Sequence, residues 1–188
     1  PGSIGVYLPG NWQVPFGIVL VVDQLSALML VLTGIIGVSA LVFAMARWDR
    51  AGTSFHALFQ VQMMGLYGAF LTADLFNLFV FFEVLLIASY GLMIHAGGTV
   101  RLRAGVQYVL FNLLGSTLFL FALGAIYAET GTLNMADLAH RVQLIDAGAT
   151  VGIRVAAVLL LMVFAIKAAV VPLHFWLPSS YAEAPAPV

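Results

Sequence analysis

The sequence predicts an all-α, polytopic transmembrane helix bundle: about five spans plus one amphipathic helix lying in the membrane interface. Three observations carry that prediction. Of 188 residues, 63% are hydrophobic and only 8% charged, against roughly 45–50% and about 25% in a soluble domain. The apolar residues gather in runs of about 20, enough to cross about 30 Å of hydrocarbon as helices. The runs also lack the alternation of barrel strands.

Composition excludes several functions. Seven basic and eight acidic residues leave a formal net charge of −1 with no basic run, so no nucleic-acid partner is expected. There is no cysteine, which removes disulfides, thiolate metal sites and a Cys nucleophile. No phosphate-binding glycine loop, metal-ligand spacing or nucleophile triad stands in the sequence, so no cofactor and no metal are predicted.

Residues 1–24 read as a surface segment, irregular or hairpin-like around Trp12, Pro15 and Gly17. Residues 1–10 carry neither a positive leader nor an initiating Met, and the closing APAPV is equally abrupt. The expectation is an excerpt of a longer chain. The spans follow at about 25–46, 55–73, 75–95, 104–128 and 153–178, the last broken near Pro172. Arg47, Asp49 and Arg50 close the first, and a tight turn at 72–74 separates the second and third. Gly34/Gly37 and Gly65/Gly68 suit close helix packing.

Residues 132–147 differ in character. Asp137, His140, Arg141 and Asp146 interleave with Met135, Leu138, Val142 and Ile145. That 3-4-3 apolar spacing predicts an interfacial helix, with Thr132 or Asn134 as its cap. Arg47 and Arg50 lie in the first inter-span loop, and Arg101 and Arg103 in the third. The positive-inside rule points both loops to the cytoplasm.

Two charges fall where a bilayer disfavours them. Lys167 is the only lysine, set in VAAVLLLMVFAIKAAVVPLHFWLP; Glu83 is the only charge in LFNLFVFFEVLLIASYGLMIH. Each lies near the middle of its predicted span, and both spans run in the same direction. A charge at mid-bilayer costs about 2.5–3.5 kcal/mol on insertion scales. Burial disfavours the charged form of either group and pairing favours it, so position and proton occupancy become coupled. The residues thus point to a proton relay, with a static, bundle-ordering ion pair as the alternative.

Around them stand weaker candidates. Pro172, five residues after Lys167, marks either an ion-site helix break or an ordinary kink. His174, at i+7 from Lys167, is either a relay, on the same face if helicity resumes after Pro172, or an interfacial histidine beside Trp176. Asn112 and Ser116, four residues apart, are polar lining or structural glue. Tyr90, seven residues after Glu83, is a further possible lining residue. His56, His95 and Asp23 read as boundary residues.

Two motifs carry a family resemblance. FFEVLLIASYGLMIH (81–95) and KAAVVPLHFWLPSSYAEAPAPV (167–188) resemble the antiporter-like membrane subunits. That family holds the multisubunit Mrp-type Na+/H+ antiporters and the proton-pumping subunits of respiratory complex I. PFGIVLVVDQLSALMLVLTGIIG (15–37) is most similar to the D-type subunit of the Mrp antiporter, and the resemblance covers nearly the whole chain. It implies a larger transporter of two inverted repeats, of which this chain is an N-terminal part, and a functional pair matching Glu83 and Lys167. It also implies a bacterial plasma-membrane location, protons and monovalent cations as cargo, and partner subunits in a hetero-oligomeric complex. The expected role is a secondary-transporter subunit rather than a free-standing enzyme. A proton-pumping subunit of complex I or of a related hydrogenase stays open, as does a structural scaffold. The SSYAEAP stretch departs from the complex I form, where a His is usual near Tyr181, and so favours the Mrp type.

Overall fold

A computed structural model describes residues 4–145 and 151–187. The chain begins with an antiparallel hairpin of β1 (Gly5–Tyr7) and β2 (Leu20–Val22), in register Gly5–Val22, Val6–Val21 and Tyr7–Leu20. Among the described residues, seven α-helices follow: α1 (Gln24–Ala44), α2 (Phe55–Leu71), α3 (Leu75–Met93), α4 (Thr99–Thr130), α5 (Met135–Gln143), α6 (Val151–Lys167) and α7 (Trp176–Glu183).

The helix starts are set by short polar residues. Asp23 caps α1, accepting from Ser26 N at 2.7 Å while Ser26 Oγ accepts from Asp23 N at 2.8 Å. These two bonds satisfy otherwise orphaned N–H groups. Asp74 does the same for α3 through Asn77 N at 2.8 Å. Asn134 caps α5 through the N–H groups of Ala136 and Asp137, both at 3.2 Å.

α1 is apolar all round and largely exposed, with Leu25, Leu28, Val31, Ile35, Val38 and Val42 uncovered. With a mean hydropathy of 2.5, such a surface is suited to lipid or to neighbouring helices. α1, α3 and α4 are each long and apolar enough to cross a membrane. α2 and α6, at 17 residues each, measure about 25 Å and stand at the short end of the spanning range.

The helices pack in succession: α1 on α2, α2 on α3, α3 on α4, and α4 against both α6 and α7. One core joins Ala44, Phe55, Phe59 and Leu92. A second joins Phe119, Leu123 and Val163, flanked by Phe79 and Phe82 of α3. The α2–α3 crossing is close because glycines floor it. A Cβ on Gly65 would stand 2.6 Å from Leu85 Cβ and 2.8 Å from its backbone N.

At one end of the bundle, backbone bonds stitch three connections together. Ala73 N donates to Val19 O at 2.9 Å, Leu75 N to Leu133 O at 2.9 Å and Met135 N to Ala73 O at 2.9 Å. The hairpin, the α2–α3 turn and the α4–α5 turn therefore share their polar groups rather than leaving them orphaned.

Three boundaries differ from the sequence reading. α4 starts at Thr99 rather than near 104 and takes in Arg101 and Arg103. Arg101 is accommodated there because its guanidinium finds backbone acceptors. The interfacial helix is shorter, Met135–Gln143, and residues 146–150 lie outside those described. The break expected near Pro172 in the last span is present but begins earlier and is wider. α6 stops at Lys167, an irregular stretch covers 168–175, and α7 resumes at Trp176. Pro172 has no N–H and its ring clashes with the carbonyl four residues back, that of Ala168, so regular helix ends a turn before the proline.

Candidate functional site

The end of α6 forms a Schellman-type cap. Val170 N donates to Ala165 O at 2.9 Å and Ala169 N to Ile166 O at 3.1 Å. Ala169 occupies the left-handed position with φ 50, where glycine is the usual residue. Lys167 is thereby the last residue of α6. A cation there faces the negative end of the helix dipole and the last free carbonyls.

The ammonium of Lys167 points at α4. Nζ donates to Asn112 Oδ1 and to Ser116 Oγ, each at 3.4 Å. Both acceptors are buried, and both belong to one stripe of α4. Asn112 is oriented by its own amide, whose Nδ2 donates to Tyr108 O at 2.9 Å. Gly115 lies between the two acceptors. A Cβ there would meet Ile166 Cγ2 at 3.4 Å and Lys167 Cε at 3.7 Å, ordinary contact distances, so the end of α6 packs directly over this turn of α4.

Glu83 stands on α3. Its Oε1 is buried and has no hydrogen-bond partner. Among the described residues no salt bridge joins it to Lys167. The arrangement is therefore not a closed ion pair. The lysine rests on a neutral amide and a hydroxyl of α4, while a carboxylate with a vacant acceptor waits on α3. Separating such charges in a low-dielectric interior costs several kcal/mol.

The other sequence candidates distribute as follows. Pro172 lies inside the 168–175 stretch, five residues past the end of α6. His174 lies in the same stretch, before helix resumes at Trp176, so the condition for sharing a helical face with Lys167 is not met. Its ring stacks on Phe175 at 5.1 Å between centroids, and its buried Nδ1 has no partner. Tyr90 packs edge-on against Tyr108, with ring centroids 5.5 Å apart.

Sequence reasoning missed three participants. Tyr108 shares a hydrogen bond of 3.0 Å with Ser89 of α3, joining α3 to the Asn112–Ser116 stripe. Its position four residues before Asn112 was the available signal. Trp176 donates its indole N–H to Ile166 O at 3.0 Å, tying the start of α7 to the end of α6 across the break. A cavity of about 90 Å³ lies between α2, α3, α4 and α7, lined by Gln62, Ser89, Tyr108 and Ser180 among others. Gln62 Oε1 is itself buried and unpartnered. Polar, roomy spaces of that size accept ordered water.

Stacked apolar helices, a helix interrupted beside its one ammonium and a half-buried carboxylate on the neighbouring α3 define a polytopic membrane protein with ionisable groups inside the bundle. Comparison with known proteins gives the family. Residues 72–188 match the family described as NADH:quinone oxidoreductase/Mrp antiporter, TM. The chain is 52% identical over 188 residues to the D subunit of a probable K(+)/H(+) antiporter of Rhizobium meliloti, covering 100% of this chain and 35% of that protein. It is 45% identical over 181 residues to the D subunit of the Na(+)/H(+) antiporter of Bacillus subtilis, covering 95% and 36%. Among solved structures, a chain of the Mrp complex from Dietzia sp. DQ12-45-1b superposes with a TM-score of 0.85 at 38% identity, covering 97% of this chain and 34% of that one. The chain belongs to the NADH:quinone oxidoreductase/Mrp antiporter transmembrane family. It spans about a third of the length of the curated relatives it matches.

Proposed function

We propose that this chain is the ion-path portion of a D-type subunit in a multisubunit monovalent cation/proton antiporter of a bacterial plasma membrane. Its cargo would be protons and a monovalent cation such as Na+, and its partners the other subunits of that complex. The observation that carries the proposal is the split arrangement of the two half-buried charges. Lys167 is held by Asn112 and Ser116 on α4, while Oε1 of Glu83 on α3 is buried with no hydrogen-bond partner among the described residues.

In this reading Lys167 swings between two seats. On α4 it leaves the carboxylate alone; against Glu83 it closes an ion pair. Each position sets a different cost for an extra proton on the pair, so lysine movement and proton occupancy are linked. The irregular stretch after Lys167 supplies the backbone freedom for that movement, as interrupted helices do in other transporters. His174, in the same stretch, is a candidate to pass the proton onward.

The test is cation-driven proton movement in vesicles holding the complete complex, with Glu83→Gln and Lys167→Ala compared with the parent. Loss of exchange with unchanged complex assembly supports the reading; full exchange in either variant rejects it. A second reading, a proton-pumping subunit of a complex I-type assembly, draws on the family description, which spans both kinds. The neighbouring genes discriminate: small antiporter subunits for the first reading, quinone-oxidoreductase or hydrogenase subunits for the second.

A further inference from the structure

Arg101 lies near the start of α4, at the opposite end of the bundle from the stitched turns. Its guanidinium reaches three separate parts of the chain. Nε donates to Glu183 O, the last residue of α7, at 2.8 Å. Nη1 donates to His95 O at 2.7 Å and to Gly97 O at 3.3 Å, just past the end of α3. The guanidinium also lies over the Trp48 ring in the α1–α2 loop, 5.8 Å from its centroid. His95 reinforces the junction, its Nε2 standing 2.8 Å from Trp48 O.

A cation on the closing carbonyl of α7 satisfies a group left without an intrahelical partner and complements that helix's dipole, while its other donors hold the loop after α3. The planar fork makes this possible from one side chain; a lysine ammonium cannot offer the same parallel donors. α7 is eight residues long, about 12 Å, and both ends are anchored. One anchor is Arg101 on Glu183 O; the other is Trp176 Nε1 on Ile166 O at 3.0 Å. Ile166 precedes Lys167 directly. Ser179 Oγ also donates to Gln107 Oε1 at 3.1 Å, so α7 docks along the same helix that carries Arg101.

We propose that Arg101 is a positioning residue for Lys167. It fixes the far end of α7, and α7 acts as a strut that sets where the end of α6 lies against Asn112 and Ser116. The inference rests on the reading of Lys167 as the mobile ammonium of the ion path. It adds that the geometry of that ammonium is set from the opposite end of the break, by a side chain in direct contact with neither.

The experiment uses the complete complex and two measurements. Hydrogen–deuterium exchange over residues 164–183 reads the strut without any transport. Arg101→Gln is expected to speed exchange there about tenfold, the factor for losing one charge-assisted hydrogen bond. Arg101→Lys should recover part of that protection. Exchange over 164–183 that matches the parent in Arg101→Gln overturns the proposal, whether or not the complex transports.

Turnover per assembled complex reads the consequence at Lys167. Arg101→Gln should lower turnover about tenfold with the apparent affinity for the cation unchanged, and Arg101→Lys should restore part of it. Trp176→Phe, which removes the other anchor, should give the same loss, and the double variant little more than either alone. Losses that multiply, or turnover unchanged while exchange rises, overturn the proposal. A parent complex that moves no ions at all rejects the transport reading instead, and the exchange result then decides the strut on its own.

Discussion

Lys167 Nζ lies 3.4 Å from Asn112 Oδ1, so the one lysine of the chain is seated on an uncharged side chain of α4. That amide is held in turn by the carbonyl of Tyr108 one turn away. Replacing Asn112 by Leu keeps the volume but removes the acceptor, leaving Ser116 as the remaining seat. A hydrogen bond to a charged group is worth about 1.5–3 kcal/mol. Turnover of the Asn112→Leu complex is therefore expected to fall about tenfold or more, measured as initial exchange rate at matched complex content. An unchanged rate would remove Asn112 from the site.

The glycines of the bundle divide by what stands opposite them. Gly65→Ala places a Cβ 2.6 Å from Leu85 Cβ with the Leu85 backbone behind it. Relief requires α2 and α3 to separate, at about 1–3 kcal/mol. Gly124→Ala, on α4, meets nothing within 4 Å and gains helix propensity of up to about 1 kcal/mol. Thermal unfolding in detergent should show the first destabilised and the second equal to the parent or better. The reverse order would contradict the packing of α2 on α3.

Ala169 closes α6 with a positive φ, a conformation that costs a side-chain-bearing residue about 1–2 kcal/mol. Ala169→Gly should leave stability equal or raised, and Ala169→Val should lower it. Thermal unfolding of the two variants side by side is the check, and equal midpoints would contradict the cap.

The interfacial helix carries a pH dependence of definite sign. Arg141 Nε donates to Asp137 Oδ2 at 2.9 Å and Arg141 Nη1 to Thr130 O at 2.9 Å, pinning α5 to the end of α4. The hydrogen bond from Arg141, helped by one from Thr132, holds the Asp137 carboxyl below its ordinary value of 3.8. A depressed acid contributes its stability above the unfolded value and loses it as pH falls through the folded one. Amide exchange across 135–143, taken relative to the intrinsic rate at each pH, should stay low at neutral pH and rise once the pH drops below 3.8. In Arg141→Gln the rise should begin at higher pH. Protection that does not change with pH would show that the pair contributes nothing.

Much of the architecture is written in the apolar runs, because a bilayer demands length and hydrophobicity and those survive in a one-dimensional reading. A cap at Thr132 or Asn134 follows from residue type and position, and the structure selects Asn134. The charges at 83 and 167 are visible because almost nothing else in their runs is polar. The end of α6 at Lys167 was less legible: Pro172 announces a break, but its start depends on a cap built from Ala169, a residue that gives no turn signal. The roles of Arg101 and Trp176 were hidden for another reason. Both bind backbone carbonyls far away in sequence, at Glu183 and Ile166, and any residue can supply a carbonyl. Three-dimensional proximity alone reveals such bonds. His174 shows the same limit: its spacing from Lys167 has no helical meaning once the intervening residues leave the helix.

The most direct test follows the Lys167 ammonium itself. Proton and cation fluxes are measured in vesicles bearing the complete complex, with the parent, Glu83→Gln, Lys167→Ala and the double replacement Glu83→Leu/Lys167→Leu at matched assembly. The account predicts that all three variants assemble and that none exchanges ions above the empty-vesicle rate. A double apolar replacement that exchanges at the parent rate would contradict it, and would make the two charges a structural pair.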